Sequence, residues 1–237
     1  MTKLNDSATV TLPSPTTVLV HGYVRLVAIM GSEDFICESA RVSNDFASGD
    51  AERNKKLIAF LTSHQHTSPF EMCEVIFDLK MPIFVARQWL RHRTAHLQEF
   101  SQRYSNVHRE FYIPDVGRFN FQGSKNRQVS GDVIPPQQAT SMRNRMWHQC
   151  MAAFDLYEDL IKSGLSREKA RIILPLNTFT TVRWKCDLLN TMKLLKLRLA
   201  DDTQWETVQY AKMVVSHLWP TFPNVTEQWL GDLLQPS

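Results

Sequence analysis

The alternation between Cys73 and Lys80 constrains the fold more than any other stretch of the chain. Cys73, Val75, Phe77 and Leu79 are apolar at every second position. Glu74, Asp78 and Lys80 stand between them, and Ile76 is the interruption of the polar set. Side chains alternate across a strand, so this period predicts a strand with one face on a core and the other toward water. Such a face needs covering elements, and the helical signals supply them. Over Asp50 to His64 the apolar positions Leu57, Ile58 and Leu61 fall at helical spacing, with Asp50 placed to cap and Glu52 near the positive end. After Pro82, the run Ile83 to Leu97 has no Gly or Pro and reads as a helix that carries Gln88, Arg91 and His92 at three- and four-residue spacing. Met146, Cys150, Phe154, Tyr157 and Ile161 form a helical stripe ending before Gly164. Ser166 can cap the next helix, which Pro175 must stop.

Thr17 to Val27 and Thr178 to Trp184 are rich in β-branched or aromatic residues and predict strands, and two helices follow at about Leu188–Leu199 and Thr203–Leu218. Residues 1–15, rich in Thr, Ser and Pro, read as a flexible lead-in, and Gly117 to Gln137 reads as a long mobile loop. No internal repeat and no second composition regime appear. An α+β single domain over residues 16–237 is therefore expected. With 237 residues such a domain buries about 70% of its open-chain surface.

Several function classes are excluded or weakened at this level. No apolar run approaches the roughly 18 to 20 residues needed to cross a bilayer. Asp6, Pro13 and Pro15 interrupt any apolar core of a secretory signal, so a cytoplasmic location is expected. Cys37, Cys73, Cys150 and Cys186 are widely spaced with no CxxC pair, and are expected to be reduced, buried thiols. A formal net charge of +3 does not by itself argue nucleic-acid binding.

Charge is instead concentrated. Arg87, Arg91, Arg93, Arg103 and Arg109 stand with His92, His96 and His108, and Glu99 is almost the sole counter-charge before Glu110. A solvated basic face is the plain explanation for any one of these arginines. Several together, beside Ser101 and Gln102, describe a phosphate or nucleotide pocket, because guanidinium groups hold phosphate oxygens through paired donors. Arg171 and Arg198 could join it only in the folded or assembled state. Two alternatives stay open. His64 with His66, and His92 with His96, have metal-ligand spacing, although Arg91 and Arg93 would repel a cation. Trp89, Phe100, Tyr104 and Phe111 could stack the bases of a single strand. A P-loop, a GxGxxG turn, a GxSxG elbow and an HExxH pair are absent.

The segment Arg91-His92-Arg93-Thr94-Ala95-His96-Leu97-Gln98-Glu99-Phe100-Ser101-Gln102-Arg103 resembles the RHRxxSxNxxSxR signature of the flavin-dependent thymidylate synthases. Further segments in family order extend the resemblance over nearly the whole chain after Gly22. They include His66-Thr67-Ser68-Pro69-Phe70-Glu71, Phe111-Tyr112-Ile113-Pro114, Ala170-Arg171-Ile172-Ile173-Leu174-Pro175, and Leu197-Arg198 followed by Gln204-Trp205-Glu206. The resemblance implies a mainly antiparallel sheet flanked by helices and a homotetramer with sites at subunit interfaces. It implies reductive methylation at carbon 5 of a uridine monophosphate, dUMP or UMP. FAD would be the cofactor, NADPH the reductant and methylenetetrahydrofolate the one-carbon donor. It assigns Arg198 to stabilising the N3-ionised pyrimidine. Nucleotide binding falls to Gln88, Arg91, Glu99, Phe100, Ser101, Gln102, Arg103, Arg171 and Arg198. Flavin binding falls to His66, Ser68, Arg91, His92, Arg93, Glu99, Asp187, Leu189 and Lys193.

Some positions depart from the pattern. His96 stands where the signature usually has Ser and Gln98 where it has Asn. Leu189, Lys193 and Asp202 replace polar, Asn or His, and His residues of the family. Leu189 cannot donate a hydrogen bond, so the flavin side is expected to be rearranged. The alternative is a nucleotide- or nucleic-acid-binding relative without catalysis.

Overall fold

The β-rich stretch that starts near Thr17 folds back on itself. In a computed structural model that describes residues 13–44, 49–123 and 130–234, strand β1 (Thr16–Val18) pairs antiparallel with β2 (Gly22–Met30), Thr16 opposite Val24. Most of the expected lead-in, residues 1–12, lies outside the described residues, and Pro13 to Pro15 are exposed and in no element. Helix α1 (Glu33–Ala40) follows, capped by Ser32, whose Oγ accepts from the Phe35 amide at 3.2 Å. Helix α2 (Ala51–Ser63) starts as expected at Asp50, whose Oδ1 accepts from the Arg53 amide at 2.8 Å. After the short α3 (Ser68–Glu71), β3 (Glu74–Pro82) carries the alternation that predicted it.

Helix α4 covers only Ile83–Trp89, which corrects the expectation of a helix to Leu97. The chain then turns through Arg91–Arg93 and forms an edge strand β4 (His96–Glu99). Residues 96–99 gain a full register on the open side of β7, His96 opposite Lys185 and Glu99 opposite Val182, so sheet pairing overrides a permissive helical sequence. The expected loop over 117–137 is also corrected. It contains a hairpin of β5 (Asn120–Gln122) and β6 (Ser130–Val133), with residues 124–129 outside the description. Helix α5 (Pro136–Lys162) begins ten residues before the apolar stripe, because Pro136 occupies the first helical position, where no amide hydrogen is needed. The short α6 (Arg167–Ala170) has Ser166 at its N-cap, without a side-chain cap bond.

Strand β7 (Phe179–Asp187), helix α7 (Leu188–Arg198) and helix α8 (Trp205–Leu218) match the expected elements closely. A further helix, α9 (Pro223–Leu234), lies beyond the last one expected. Its first turn is capped from a distance: Glu33 of α1 accepts from the Val225 amide at 2.9 Å and from Asn224 Nδ2 at 2.6 Å.

The main sheet has the order β1-β2-β3-β7-β4, and its neighbouring strands pair antiparallel. Val75, Phe77, Leu79 and Met81 of β3 and Val182, Trp184 and Cys186 of β7 are buried with residues of α1, α2, α7, α8 and α9. The opposite face is laced with ion pairs. Arg183 grips Asp78 through two bonds of 2.8 and 2.9 Å, Lys185 meets Glu74, and Lys80 meets Glu110. Ile76, the anomaly in the alternation, sits opposite Lys185 in register. A smaller core gathers Val107, Phe154, Tyr157 and Ala170 where α5 and α6 meet the chain after β4. All four cysteines are free and buried, as expected. Among the described residues no helix is long and apolar enough to cross a membrane.

Candidate active site

Where β7 feeds α7 and α7 ends, the chain returns to the end of α4. Arg198 closes α7, and its Nη2 donates to the backbone carbonyl of Gln88 at 2.6 Å. Its Nε is buried without a hydrogen-bond partner among the described residues. Burial, and then the neighbouring Arg91, pull the Arg198 pKa below its ordinary value. Burial, and then Arg198, lower that of His92, so its imidazole is neutral at pH 7. Gln88, Arg91, His92 and Arg198 therefore form one group, which brings together residues that the resemblance assigned to the nucleotide and, for His92, to the flavin. No carboxylate pairs with Arg91, Arg93 or Arg198 among the described residues. Cations held together in this way suit an anionic ligand.

Gln88 and Arg198 of this group line a groove of about 1710 Å³ together with Arg118, Gln204, Trp205 and Glu206, among others. The start of α8 builds the wall. Gln88 Nε2 donates to Gln204 Oε1 at 2.6 Å, and the fully buried Thr207 donates through Oγ1 to Gln88 Oε1 at 3.1 Å. Glu206, also buried, accepts from the Tyr112 hydroxyl at 3.1 Å. Burial and then Glu206 push the Tyr112 pKa upward. The Arg118 guanidinium lies over the Trp205 ring, 4.0 Å from its centroid. Gln204, Thr207, Glu206, Tyr112 and Arg118 were not singled out from sequence as site residues. Gln204-Trp205-Glu206 was visible only as a family segment, and nothing in its spacing revealed what it touches.

A second group lies elsewhere. Glu99, at the end of β4, accepts from Thr180 at 2.7 Å, and the Phe100 amide donates to the Thr181 carbonyl. Ser101 begins a turn in which its Oγ accepts from the Arg103 amide at 3.4 Å. No base is bonded to this hydroxyl among the described residues. Arg103 bridges to Glu168 of α6 at 2.7 Å, and Arg171 is the C-cap of α6, so these two arginines come to the same part of the chain. Neither lines the groove that holds Arg198. Gln102 is partly buried in the same turn, and Arg93 is exposed in the turn after α4.

A third group collects the remaining flavin candidates. His66 and Ser68 lie at the α2–α3 junction, and α3 packs on α7, which carries Lys193 on an exposed position. Phe60 stacks on His64, ring centroids 4.1 Å apart, with His66 edge-on to it. Asp187 is the N-cap of α7 and accepts from the Asn190 amide at 2.8 Å. Leu189 is 1% exposed, its side chain packed inside the main core. The second residue of α7 faces the helices beneath it, so an apolar side chain there is a packing choice. The thiols of Cys37, Cys73 and Cys186 are pushed up to about 11, chiefly by burial, and offer no thiolate at neutral pH.

Together, the antiparallel sheet and the donor-rich cationic groups at the end of α4 and after β4 define an α+β protein whose candidate site has the chemistry of an anion-binding one. The comparisons make that class specific. The family profile described as thymidylate synthase complementing protein matches residues 25–224. A flavin-dependent thymidylate synthase of Thermus thermophilus is 43% identical over 202 residues, covering 85% of this chain and 73% of that protein. One from Wolbachia pipientis is 41% identical over 198 residues, covering 84% and 70%. Crystal structures of the UMP/dUMP methylase PolB of Streptomyces cacaoi share the fold. The form bound with 5-Br dUMP has a TM-score of 0.79 at 29% identity, covering 91% of this chain and 97% of that one. The form bound with 5-Br UMP has 0.80 at 27% identity, covering 90% and 94%. The chain belongs to the flavin-dependent thymidylate synthase family.

Proposed function

We propose that this chain methylates carbon 5 of a uridine monophosphate, dUMP or UMP, using methylenetetrahydrofolate as one-carbon donor, FAD as flavin and NADPH as reductant. The observation that carries the reading is the buried Nε of Arg198, unpartnered among the described residues, in a group where no described carboxylate pairs with Arg91 or Arg198. Carbon 5 of uracil is a weak nucleophile that strengthens when the ring is held in its N3-ionised form. A cation preorganised in a dry site stabilises that form. Arg198 supplies the cation, and its bond to the Gln88 carbonyl fixes where it points. The relatives named flavin-dependent thymidylate synthase, and a structural neighbour bound to both deoxyribose and ribose analogues, support the same substrate class.

Gln88, Arg91, Glu99, Phe100, Ser101, Gln102, Arg103 and Arg171 bind the nucleotide in this reading, with Ser101 a binding residue and not a nucleophile. The donor set also fits a dinucleotide cofactor: Arg91, Arg93 and Lys193, which form no ion pair among the described residues, are cations for its phosphates. Ser68, His66, neutral His92, Glu99 and Asp187 offer polar atoms to its rings and sugars. When bound and reduced by NADPH, the flavin would supply the electrons that complete the methyl group. Arg103 and Arg171 do not line the groove that holds Arg198, so we assign the convergence of the nucleotide-binding arginines to neighbouring copies in a homotetramer. The exposed edge strand β4 and the exposed Ile172 and Leu176 support such contacts. Thymidylate synthesis suits a cytoplasmic enzyme.

The test is a product assay. Protein loaded with FAD, supplied with NADPH and the folate donor, is expected to turn yellow on loading and to convert dUMP or UMP to the 5-methyl nucleotide. Colourless protein that takes up no FAD, or nucleotide recovered unchanged, overturns the reading. The buried Leu189 gives no support to a relative that has lost its flavin.

A further inference from the structure

We propose that Thr207 is a positioning residue that makes the site select uracil over cytosine by fixing which way the Gln88 amide faces. This inference rests on the reading that a uridine nucleotide occupies the groove. A carboxamide presents an acceptor on one side and two donors on the other, and rotation by a half-turn exchanges them at almost no steric cost. Gln88 has no such freedom. The Thr207 hydroxyl, fully buried in the first turn of α8, donates to Gln88 Oε1 at 3.1 Å. The Gln88 Nε2 is thereby turned the other way, where one hydrogen goes to Gln204 Oε1 at 2.6 Å. Its second hydrogen has no partner among the described residues.

Beside it stands Arg198, anchored to the Gln88 carbonyl and carrying its own unpartnered Nε. Guanidinium has no acceptor. At the point where the end of α4 meets the end of α7, the Gln88 Nε2 and the Arg198 guanidinium thus present donors, while the groove carboxylates Asp201, Asp202 and Glu206 belong to the segment after α7 and the start of α8. An N3-ionised uracil presents acceptors at O4, N3 and O2, so it complements those donors. Cytosine presents an amino donor on carbon 4, which meets the Gln88 Nε2 donor to donor. A site built to hydrogen-bond one group penalises a ligand that leaves its buried polar atoms unpaired. Without the Thr207 hydroxyl the amide can turn to accept from that amino group.

The experiment measures binding of dUMP and dCMP to FAD-loaded full-length protein by titration calorimetry, together with methylation of dUMP. Wild type is expected to prefer dUMP. Thr207→Val, which keeps the shape and removes the hydroxyl, is expected to lower the dUMP-to-dCMP affinity ratio about tenfold or more. Thr207→Ser is expected to restore it, which a purely structural role for the side chain would not require. Gln88→Glu provides a test that does not depend on α8 folding around a changed Thr207. Its carboxylate accepts from Thr207 and offers an acceptor toward the base, so preference shifts toward dCMP. An unchanged ratio in Thr207→Val or in Gln88→Glu, with dUMP still bound and methylated by wild type, overturns the proposal and leaves the proposed activity standing. Wild type that neither binds nor methylates dUMP or UMP overturns both.

Discussion

Replacing Tyr112 by Phe isolates one buried hydrogen bond, because the backbone of Tyr112 is held independently of its hydroxyl. The Tyr112 amide donates to the Asn177 carbonyl at 2.9 Å, and Asn177 Nδ2 donates back to the Tyr112 carbonyl at 2.6 Å. The ring therefore stays where it is when the oxygen is removed. What is lost is the bond to Glu206 Oε1, 3.1 Å long and shielded from water on both sides. A hydrogen bond to a charged group contributes about 1.5–3 kcal/mol. For a domain of this size each kcal/mol moves the melting temperature by about 2–4 °C. Tyr112→Phe is thus expected to melt about 3–12 °C below wild type in differential scanning calorimetry at pH 7.5. The pH dependence has a definite sign. Burial, then Glu206, raise the Tyr112 pKa in the folded state, so its stabilisation is fully present below the unfolded value of about 10 and is lost as pH rises through the folded one. The gap between wild type and variant should be constant from pH 7 to 9 and narrow above 10. Pairing the change with Glu206→Gln should shrink the effect of Tyr112→Phe to the range of a neutral bond, about 0.5–1.5 kcal/mol. A melting shift below about 1 °C, or one equally large in the Glu206→Gln background, refutes the reasoning.

Arg198→Ala removes the cation assigned to the ionised pyrimidine and is expected to lower turnover by about 10²–10³ while the flavin spectrum is retained; turnover near wild type shows the role to be misassigned. Gly31 has φ +91°, and a Cβ there would collide with Cys73 Sγ. Gly31→Ala should therefore cost about 2 kcal/mol or more, read as a lowered urea midpoint; an unchanged midpoint contradicts this. His92 and His217 both have pKa values lowered chiefly by burial. Their contribution to stability is present above the unfolded value of about 6.5 and is lost as pH falls through the folded values. Melting temperature should drop from pH 7 to pH 5, and His217→Asn, which removes the ring bonded to Thr16 at 3.1 Å, should flatten that drop.

Local signals located the elements that local forces decide. The alternation in β3, the Asp50 cap of α2, and the boundaries of β7, α7 and α8 all rest on residues within a few positions of one another. The misread stretches were decided from afar. Residues 96–99 carry no strand pattern, and Leu97 is exposed; they are a strand because β7 had an open edge. The start of α9 is satisfied by Glu33, 192 positions away from Val225. Pro135-Pro136 looked like a loop signal, yet a proline at the first helical position begins α5.

The candidate site divides along the same line. Residue types were legible: a run of arginines with one carboxylate among them marked candidates for an anion pocket, of which Arg103 and Arg109 pair with carboxylates of α6 and α5. Partners were not, since the bond that aims Arg198 spans 110 positions and the one that orients Gln88 spans 119. Leu189 shows what residue type without place leaves out: its apolar side chain, which cannot donate a hydrogen bond, packs into the core from the second position of α7. Thr207 shows the converse. An isolated threonine in a helical stretch has no signal of its own, and it acquires a function only because the end of α4 is brought beneath the first turn of α8. Chemistry in this fold is therefore set by which helix ends meet, and a substitution at such a junction changes specificity without touching the arginines that define the family.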